Sequence, residues 1–343
     1  KAKYAQYTDP NYPILQVAEY YRDGVVLQRN QPILVWGHAN KGVKVTVTLD
    51  GKAQTVSPNE LEQWSVTFPA RKASTEPITL EVKSTHGFNR TVKDILVGDV
   101  WYLTGSTLLS TEWPYDRRNK EVDPPETMPL VREFCRKTKS SSFTTPRKRR
   151  FETGGGKYRS HWLTADFSKE GSGVTMFAYE FAKALNRPGI PQGFITMSSG
   201  QGGRNRQFAS PLSWTSFQGV RNLKNPAFQE RLAELFLQYP NSGVARKAAA
   251  KHVAEVKAFV QDIVEGAKED RDPSAYPLQA PAFPEPGKSD SVSSDVIPTY
   301  AYNWCVSPLT PMGVSGMIWV PSESNLGENP KDYAAELETY AKS

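Results

Sequence analysis

The stretch GDVWYLTGSTLLSTEW, Gly98 to Trp113, runs from apolar residues into a small Gly-Ser-Thr turn. A strand that ends in a tight turn bearing a hydroxyl is how many hydrolases present a nucleophile. The hydroxyl here is Thr107, preceded by Ser106 and followed by Leu108 and Leu109. Two further stretches share the pattern of an apolar run followed by small or polar residues. They are QGFITMSSGQGGRNRQ, from Gln192, and SGMIWVPSESNLGENP, from Ser315. In the stretch from Gln192, Gly200, Gly202 and Gly203 let backbone amides approach a ligand closely. Such amides can bind a developing oxyanion. The same glycines fit an ordinary strand-to-helix turn. Glu323 equally suits a helix cap, Arg204 and Arg206 a solvated surface, and Trp101, Trp162 and Trp319 a packed core. A phosphate cradle is disfavoured, because GQGGRN lacks the Lys-Ser/Thr of a P-loop and GGGKYR at Gly154 follows no strand.

These residues need elements to hold them. Up to about Leu96 the chain is a series of short β-rich runs, among them PILVWGHA, VKVTVTLDG, QWSVTFPA and ITLEVKS. They recur about every ten residues with turn formers between them, which predicts a β-sandwich. From Ile95 the pattern changes. ILVGDVWYL predicts a strand buried on both faces, and LVREFCR, QGFITMSSG and SGMIWV predict three more. GVTMFAYEFAKALNR carries Met176, Phe177, Phe181, Ala184 and Leu185 at helical spacing, and Pro188 and Gly189 stop it. Strands alternating with helices predict a parallel α/β sheet, which binds ligands at the carboxyl ends of its strands. All three polar loops fall at such ends.

The remainder is auxiliary. Residues of about 224–271 predict a helical insert with Val253, Val256, Val260, Ile263 and Val264 as its apolar stripe. Residues of about 272–298 are rich in Pro and Ser without periodicity, as a loop or linker would be. No apolar run approaches a membrane span. The chain has 343 residues and a formal charge of +6, a balance that favours anionic partners. Its sharpest basic run, PRKRR at Pro146–Arg150, has no interleaved aromatics, so no nucleic-acid partner is expected. Cys135 and Cys305 sit in apolar contexts and are expected as buried thiols, with one disulfide left open. The four histidines lack ligand spacing, so neither a metal nor another cofactor is expected. Asn89-Arg90-Thr91 is a sequon of a length that arises by chance.

Four blocks in order resemble the sialate O-acetylesterase-like carbohydrate esterases, a branch of the SGNH hydrolases. DGVVLQRNQPILVWGHA is similar to that family's N-terminal sandwich signature. GDVWYLTGSTLL is similar to its nucleophile block, usually written GDVWxxSGQSNM. QGFITMSSGQGG resembles the block that supplies the oxyanion glycine, and PLTPMGVSGMIWVPSESN the block that usually ends in WYQGESN. The resemblance covers nearly the whole chain. It implies a β-sandwich over 1–95 and an SGNH-type three-layer α/β/α domain over 96–343, completed by a further C-terminal segment or a second chain. It also implies a glycan ligand, hydrolysis of sugar O-acetyl esters and an extracytoplasmic location.

Carried over by position, the resemblance puts the family's serine on Thr107 and the preceding glutamine on Ser106. Its Asn and Met fall on Leu108 and Leu109. The oxyanion glycine falls on Gly200, or on Gly202 with a shifted gap. Trp319, Glu323, Ser324 and Asn325 are retained, while Pro321 and Ser322 replace a Gln and a Gly. Glu323 and Asn325 join Thr107 as catalytic candidates, and Arg204, Trp319 and Ser106 as substrate-binding ones. The family's base is a histidine in a late Asp-x-x-His segment, and none of the four histidines matches it. Threonine keeps the hydroxyl but adds a methyl with restricted rotamers. With several polar positions replaced together, the expectation is an esterase with reduced or lost turnover. The alternatives are a non-catalytic glycan-binding relative and an assembly protein on the same scaffold.

Overall fold

A computed structural model describes residues 14–111, 125–135, 161–168, 173–198, 210–222, 243–272, 301–321 and 330–342. Its longest strand is Asn89–Gly105 (β8), and four other strands pair with it among the described residues. Before it come Leu15–Val17 (β1), Val26–Gln28 (β2), Ile33–Ala39 (β3), Val45–Leu49 (β4), Lys52–Val56 (β5), Gln63–Phe68 (β6) and Ser74–Ser84 (β7). β3 is flanked by β1 and β6, both antiparallel. β7 pairs antiparallel with the first half of β8 and with β4, which pairs with β5. The alternation in VTVTL buries Val45, Val47 and Leu49 and leaves Thr46 and Thr48 partly accessible, as a sheet buried on one face requires.

The second half of β8 is buried on both faces from Ile95 onward. It pairs in parallel with β2, with Gln192–Ser198 (β11) and with Gly316–Val320 (β12). Met128–Cys135 (β9) runs parallel to β11 on its far side. One strand departs from the expected parallel sheet. His161–Ala165 (β10) pairs antiparallel with β9, so the sheet is mixed. The observed fold is therefore mixed α/β, dominated by sheet.

β8 changes character at a bulge. Its register with β7 slips near Leu80, and Asp94 adopts φ +54°. Arg132 of β9 secures this point. Its guanidinium donates to the carbonyls of Gly24 (3.0 Å) and Asp94 (2.6 Å) and to the Asp94 carboxylate (3.0 Å).

Helices cover the sheet. Met176–Leu185 (α1) is capped by Thr175 and ends at Asn186 in the left-handed region. It buries Ala178, Tyr179 and Ala182 against Leu103, Val131 and Phe194. Pro211–Trp214 (α2), Phe217–Asn222 (α3), Gly243–Lys268 (α4) and Pro330–Ala341 (α5) follow. Trp214 and Tyr340, from α2 and α5, join a cluster that also holds Tyr102, Ile195 and Met197, and that continues to Trp36 and Val47 of the first sheets. One apolar core thus runs through both parts of the chain. The insert shows its helix, but Val253, Val260 and Val264 of the expected stripe are exposed. Residues 223–242 of the insert and 273–300 of the linker lie outside the described residues. Among the described residues no helix is long and apolar enough to cross a membrane.

Asp99 is the main buried charge on β8, with a side chain only 4% exposed. Its carboxylate accepts from Arg29 Nε (2.7 Å) and Nη2 (3.1 Å), Arg187 Nη1 (2.8 Å) and Ser315 Oγ (3.2 Å). It joins the β2 end, the α1 exit and the approach to β12. Burial alone would raise its pKa, but the hydrogen bonds and charge of Arg29, then Arg187 and Ser315, outweigh it and hold the carboxyl below its usual value. A folded-state pKa below the unfolded one adds stability that is present above about pH 4 and lost as pH falls through the folded value. Asp99→Asn is expected to cost about 2–4 kcal/mol at pH 7. In urea titrations the gap between wild type and variant should shrink below about pH 4. A gap that stayed constant down to about pH 2 would contradict this account of Asp99.

Candidate active site

The carboxyl ends of three strands stop at one level. Gly105 of β8 lies between Ser198 of β11 and Val320 of β12 in the parallel register. All three polar loops singled out from the sequence therefore leave the same edge of the sheet.

The turn after β8 has one permitted first residue. Gly105 has φ +113°, and a Cβ there would lie 2.2 Å from the Val320 carbonyl oxygen. Only glycine has both the conformation and the room. The next amide, Ser106 N–H, donates to the same Val320 carbonyl at 2.8 Å. Ser106 then caps a 3-10 turn, Thr107–Ser110, its Oγ accepting from Leu108 N–H at 3.2 Å. Ser106 is 3% exposed, so its hydroxyl serves the turn. Thr107 opens that turn directly after the cap. A strand, a glycine with positive φ and a short helical turn form an elbow.

The two leucines after Thr107 have opposite roles. Leu109 is fully buried beside Leu103, Phe194 and Ala178, and pins the turn to the sheet. Leu108 is 61% exposed and puts an apolar side chain at the edge. The turn is held further along by Met176 N–H, which donates to the Thr111 carbonyl at 2.9 Å. That contact joins it to the start of α1.

Below this joint lies a residue that sequence reading missed. Glu133, in the middle of β9, is 3% exposed. Its carboxylate accepts from Thr175 N–H (2.5 Å), Thr175 Oγ1 (2.9 Å) and the Thr196 hydroxyl. Thr175 is the cap of α1, whose positive end favours a carboxylate. Glu133 is thus a positioning residue, linked through Thr175 and Met176 to the elbow. The only sequence signal was a lone acid inside an apolar strand.

Trp319 lies on the other face of the sheet. Its ring meets Trp214 edge-on (6.3 Å between centroids, 81°) and Tyr340 (5.4 Å, 66°). Its Nε1–H donates to Tyr333 Oη of α5 at 2.7 Å. Burial pushes the Tyr340 phenol well above its ordinary pKa. These contacts make Trp319 the anchor of α5 on β12. Gly200, Gly202, Arg204, Glu323 and Asn325 lie outside the described residues. The structure therefore brings Ser106 and the start of the Thr107 turn to the shared edge, with Trp319 on the strand beside them.

No protein-family model matches the chain, and no curated protein matches it by sequence. A solved structure is similar in fold: a carbohydrate acetylesterase from Xanthomonas citri, at TM-score 0.59 and 22% identity. The match covers 96% of this chain and 56% of that protein, so this chain spans just over half of its length. The likeness shows a carbohydrate-esterase-like fold.

The elbow gives a direct test of its geometry. Gly105→Ala is expected to destabilise the fold by at least about 2 kcal/mol, through the positive φ and the clash with Val320. Chemical denaturation of the two proteins checks this, and a loss below about 0.5 kcal/mol would mean that the turn is not built as described.

Proposed function

We propose that this chain is a carbohydrate esterase of the sialate O-acetylesterase type, with sharply reduced turnover. The observation that carries the proposal is the elbow: Gly105 at φ +113°, level with the ends of β11 and β12. The chain is proposed as two units sharing β8, a β-sandwich over 1–95 and an SGNH-type three-layer domain over 96–343, in an extracytoplasmic setting.

In this reading Thr107 Oγ attacks the carbonyl carbon of a sugar acetyl ester. The new bond is O–C, and the threonine proton passes to a base. The tetrahedral oxyanion is held by backbone amides at Gly200 or Gly202 and by Asn325. Collapse breaks the bond to the sugar oxygen, which leaves as the hydroxyl. Water then releases acetate and restores the threonine. Arg204 holds the sugar, and Glu323 orients the base. That base comes from a histidine outside the four of this chain, on a further C-terminal segment or a second chain. The low rate follows from the β-branched nucleophile and from Leu108 in place of a polar neighbour.

A second reading is favoured by the 61% exposure of Leu108 at the edge. It makes the chain a non-catalytic glycan-binding relative on the same scaffold.

Hydrolysis of an aryl acetate and an O-acetylated sugar separates the two. The esterase reading expects slow release of acetate that Thr107→Ala removes. It also expects Thr107→Ser to raise kcat/KM by about tenfold or more, by removing the methyl. Hydrolysis unchanged in Thr107→Ala would refute the nucleophile, and no hydrolysis in either wild type or Thr107→Ser would leave the binding reading.

A further inference from the structure

An apolar surface runs from the elbow along one face of β12. Two exposed side chains stand at its head: Leu108, 61% exposed, and Met176, 39% exposed. Two backbone hydrogen bonds tie them together. Thr111 N–H donates to the Leu108 carbonyl at 3.2 Å, and Met176 N–H to the Thr111 carbonyl at 2.9 Å. Leu109 already pins the turn to the sheet, so neither exposed side chain is needed to hold it.

The surface continues down the sheet. The parallel register sets Gly316, Ile318 and Val320 beside Trp101, Leu103 and Gly105, so they share the face on which α1 lies. Ile318 and Val320 pack against the same cluster as α1, yet both stay partly exposed. Trp101 is partly exposed as well, and its ring is so near Gly316 that a Cβ there would lie 3.0 Å from it. Phe181 of α1 meets Trp101 edge-on (5.3 Å between centroids, 75°), and Phe177 stacks on Phe181 (6.2 Å, 10°). β12 is thus the floor and α1 the wall of a shallow apolar groove. Trp319 packs on Trp214 and Tyr340 at the opposite face of β12, so that helical layer does not cover the groove. From Val320 to Gly316 the floor runs about 13 Å, at about 3.3 Å per residue.

We infer that the acyl group taken at this edge is an unbranched apolar chain longer than acetyl, laid along the groove between α1 and β12. The inference rests on the reading of the elbow as an esterase site and names the acyl class of its substrate. The bonds made and broken are those of the acetyl ester, and only the tail differs. The scissile carbonyl sits at the elbow, so the tail begins beside Leu108. An acetyl group ends there, whereas each further methylene removed from water strengthens binding by up to about fourfold. A strand of a parallel sheet calls for apolar cover on both faces. A protein segment seated on β12 would supply that cover, but it would not call for apolar side chains at the turn itself, where Leu108 and Met176 stand.

The test is affinity in Thr107→Ala, which removes turnover through the proposed nucleophile. Calorimetry compares 6-O-hexanoylglucose with 6-O-acetylglucose, which differ only in the tail. The hexanoyl ester is expected to bind at least about tenfold more tightly. Adding Leu108→Asn and Met176→Gln, both at exposed positions, is expected to cut that ratio below about threefold, and Leu108→Asn alone to lower it at least about twofold. Leu61→Asn is the matched control: Leu61 is 71% exposed in the turn between β5 and β6, and its loss is expected to leave the ratio unchanged. A ratio near one in Thr107→Ala would overturn the inference. So would a ratio that survives both substitutions, or an equal fall in Leu61→Asn, which would mean non-specific adsorption. Self-association of the wild type that the double variant abolishes would also overturn it, by giving the groove to a second copy. Hydrolysis of p-nitrophenyl acetate by wild type, with a binding ratio near one, would leave the esterase and sink the longer tail. The expected ratio with no hydrolysis of p-nitrophenyl acetate or hexanoate would sink the esterase and leave the acyl groove standing.

Discussion

The two parts of this fold's largest sheet share one unbroken strand. β8 runs from Asn89 to Gly105. Its first half belongs to an antiparallel sheet with one face packed, and its second half to a sheet buried on both faces. A strand can serve both only if it bends between them. The bulge at Asp94 supplies the bend, and Arg132 donates to the Asp94 carbonyl there. The same strand then carries Asp99, the Arg-paired carboxylate that locks three connections together, and ends in the one glycine that can make the elbow. The distance from bulge to elbow is fixed by covalent geometry. The site is therefore positioned by the whole length of β8 more than by the loops around it.

Much of this was legible in the sequence, and the failures are instructive. The parallel strands and α1 were visible because their apolar runs are bounded by Gly, Pro and polar residues. The change at Ile95 was visible too, since burial goes from one face to two. It was less visible that this change falls inside a strand, because a bulge leaves no gap in an apolar run. β10 escaped because HWLTA is five residues without periodicity, and only its pairing with β9 makes it a strand. The Arg29–Asp99 pair spans 70 positions, a separation at which spacing carries no signal. The apolar stripe of α4 predicted a packed face, yet three of its valines are exposed. Helical periodicity says which residues share a face, and not what covers that face.

At the site, the sequence pointed to the turn and the structure explains its residues. Gly105 is required by φ and by the Val320 carbonyl. Ser106 is required as a cap. Leu109 is a hydrophobic peg, which accounts for one of the two leucines without reference to chemistry. Leu108, which is exposed, is left with no such structural demand. Glu133 adds a buried carboxylate that braces α1 against the turn. Its role depends on three neutral donors that only the fold brings together.

The central proposal is that the Thr107 hydroxyl is the reacting group. Peptide mass spectrometry after prolonged incubation with a fluorophosphonate tests it most directly, because that reagent leaves its phosphorus on the attacking oxygen. The account expects an adduct on Thr107, lost in Thr107→Ala. An adduct confined to another hydroxyl, or none on Thr107 while acetyl esters are being hydrolysed, would contradict it.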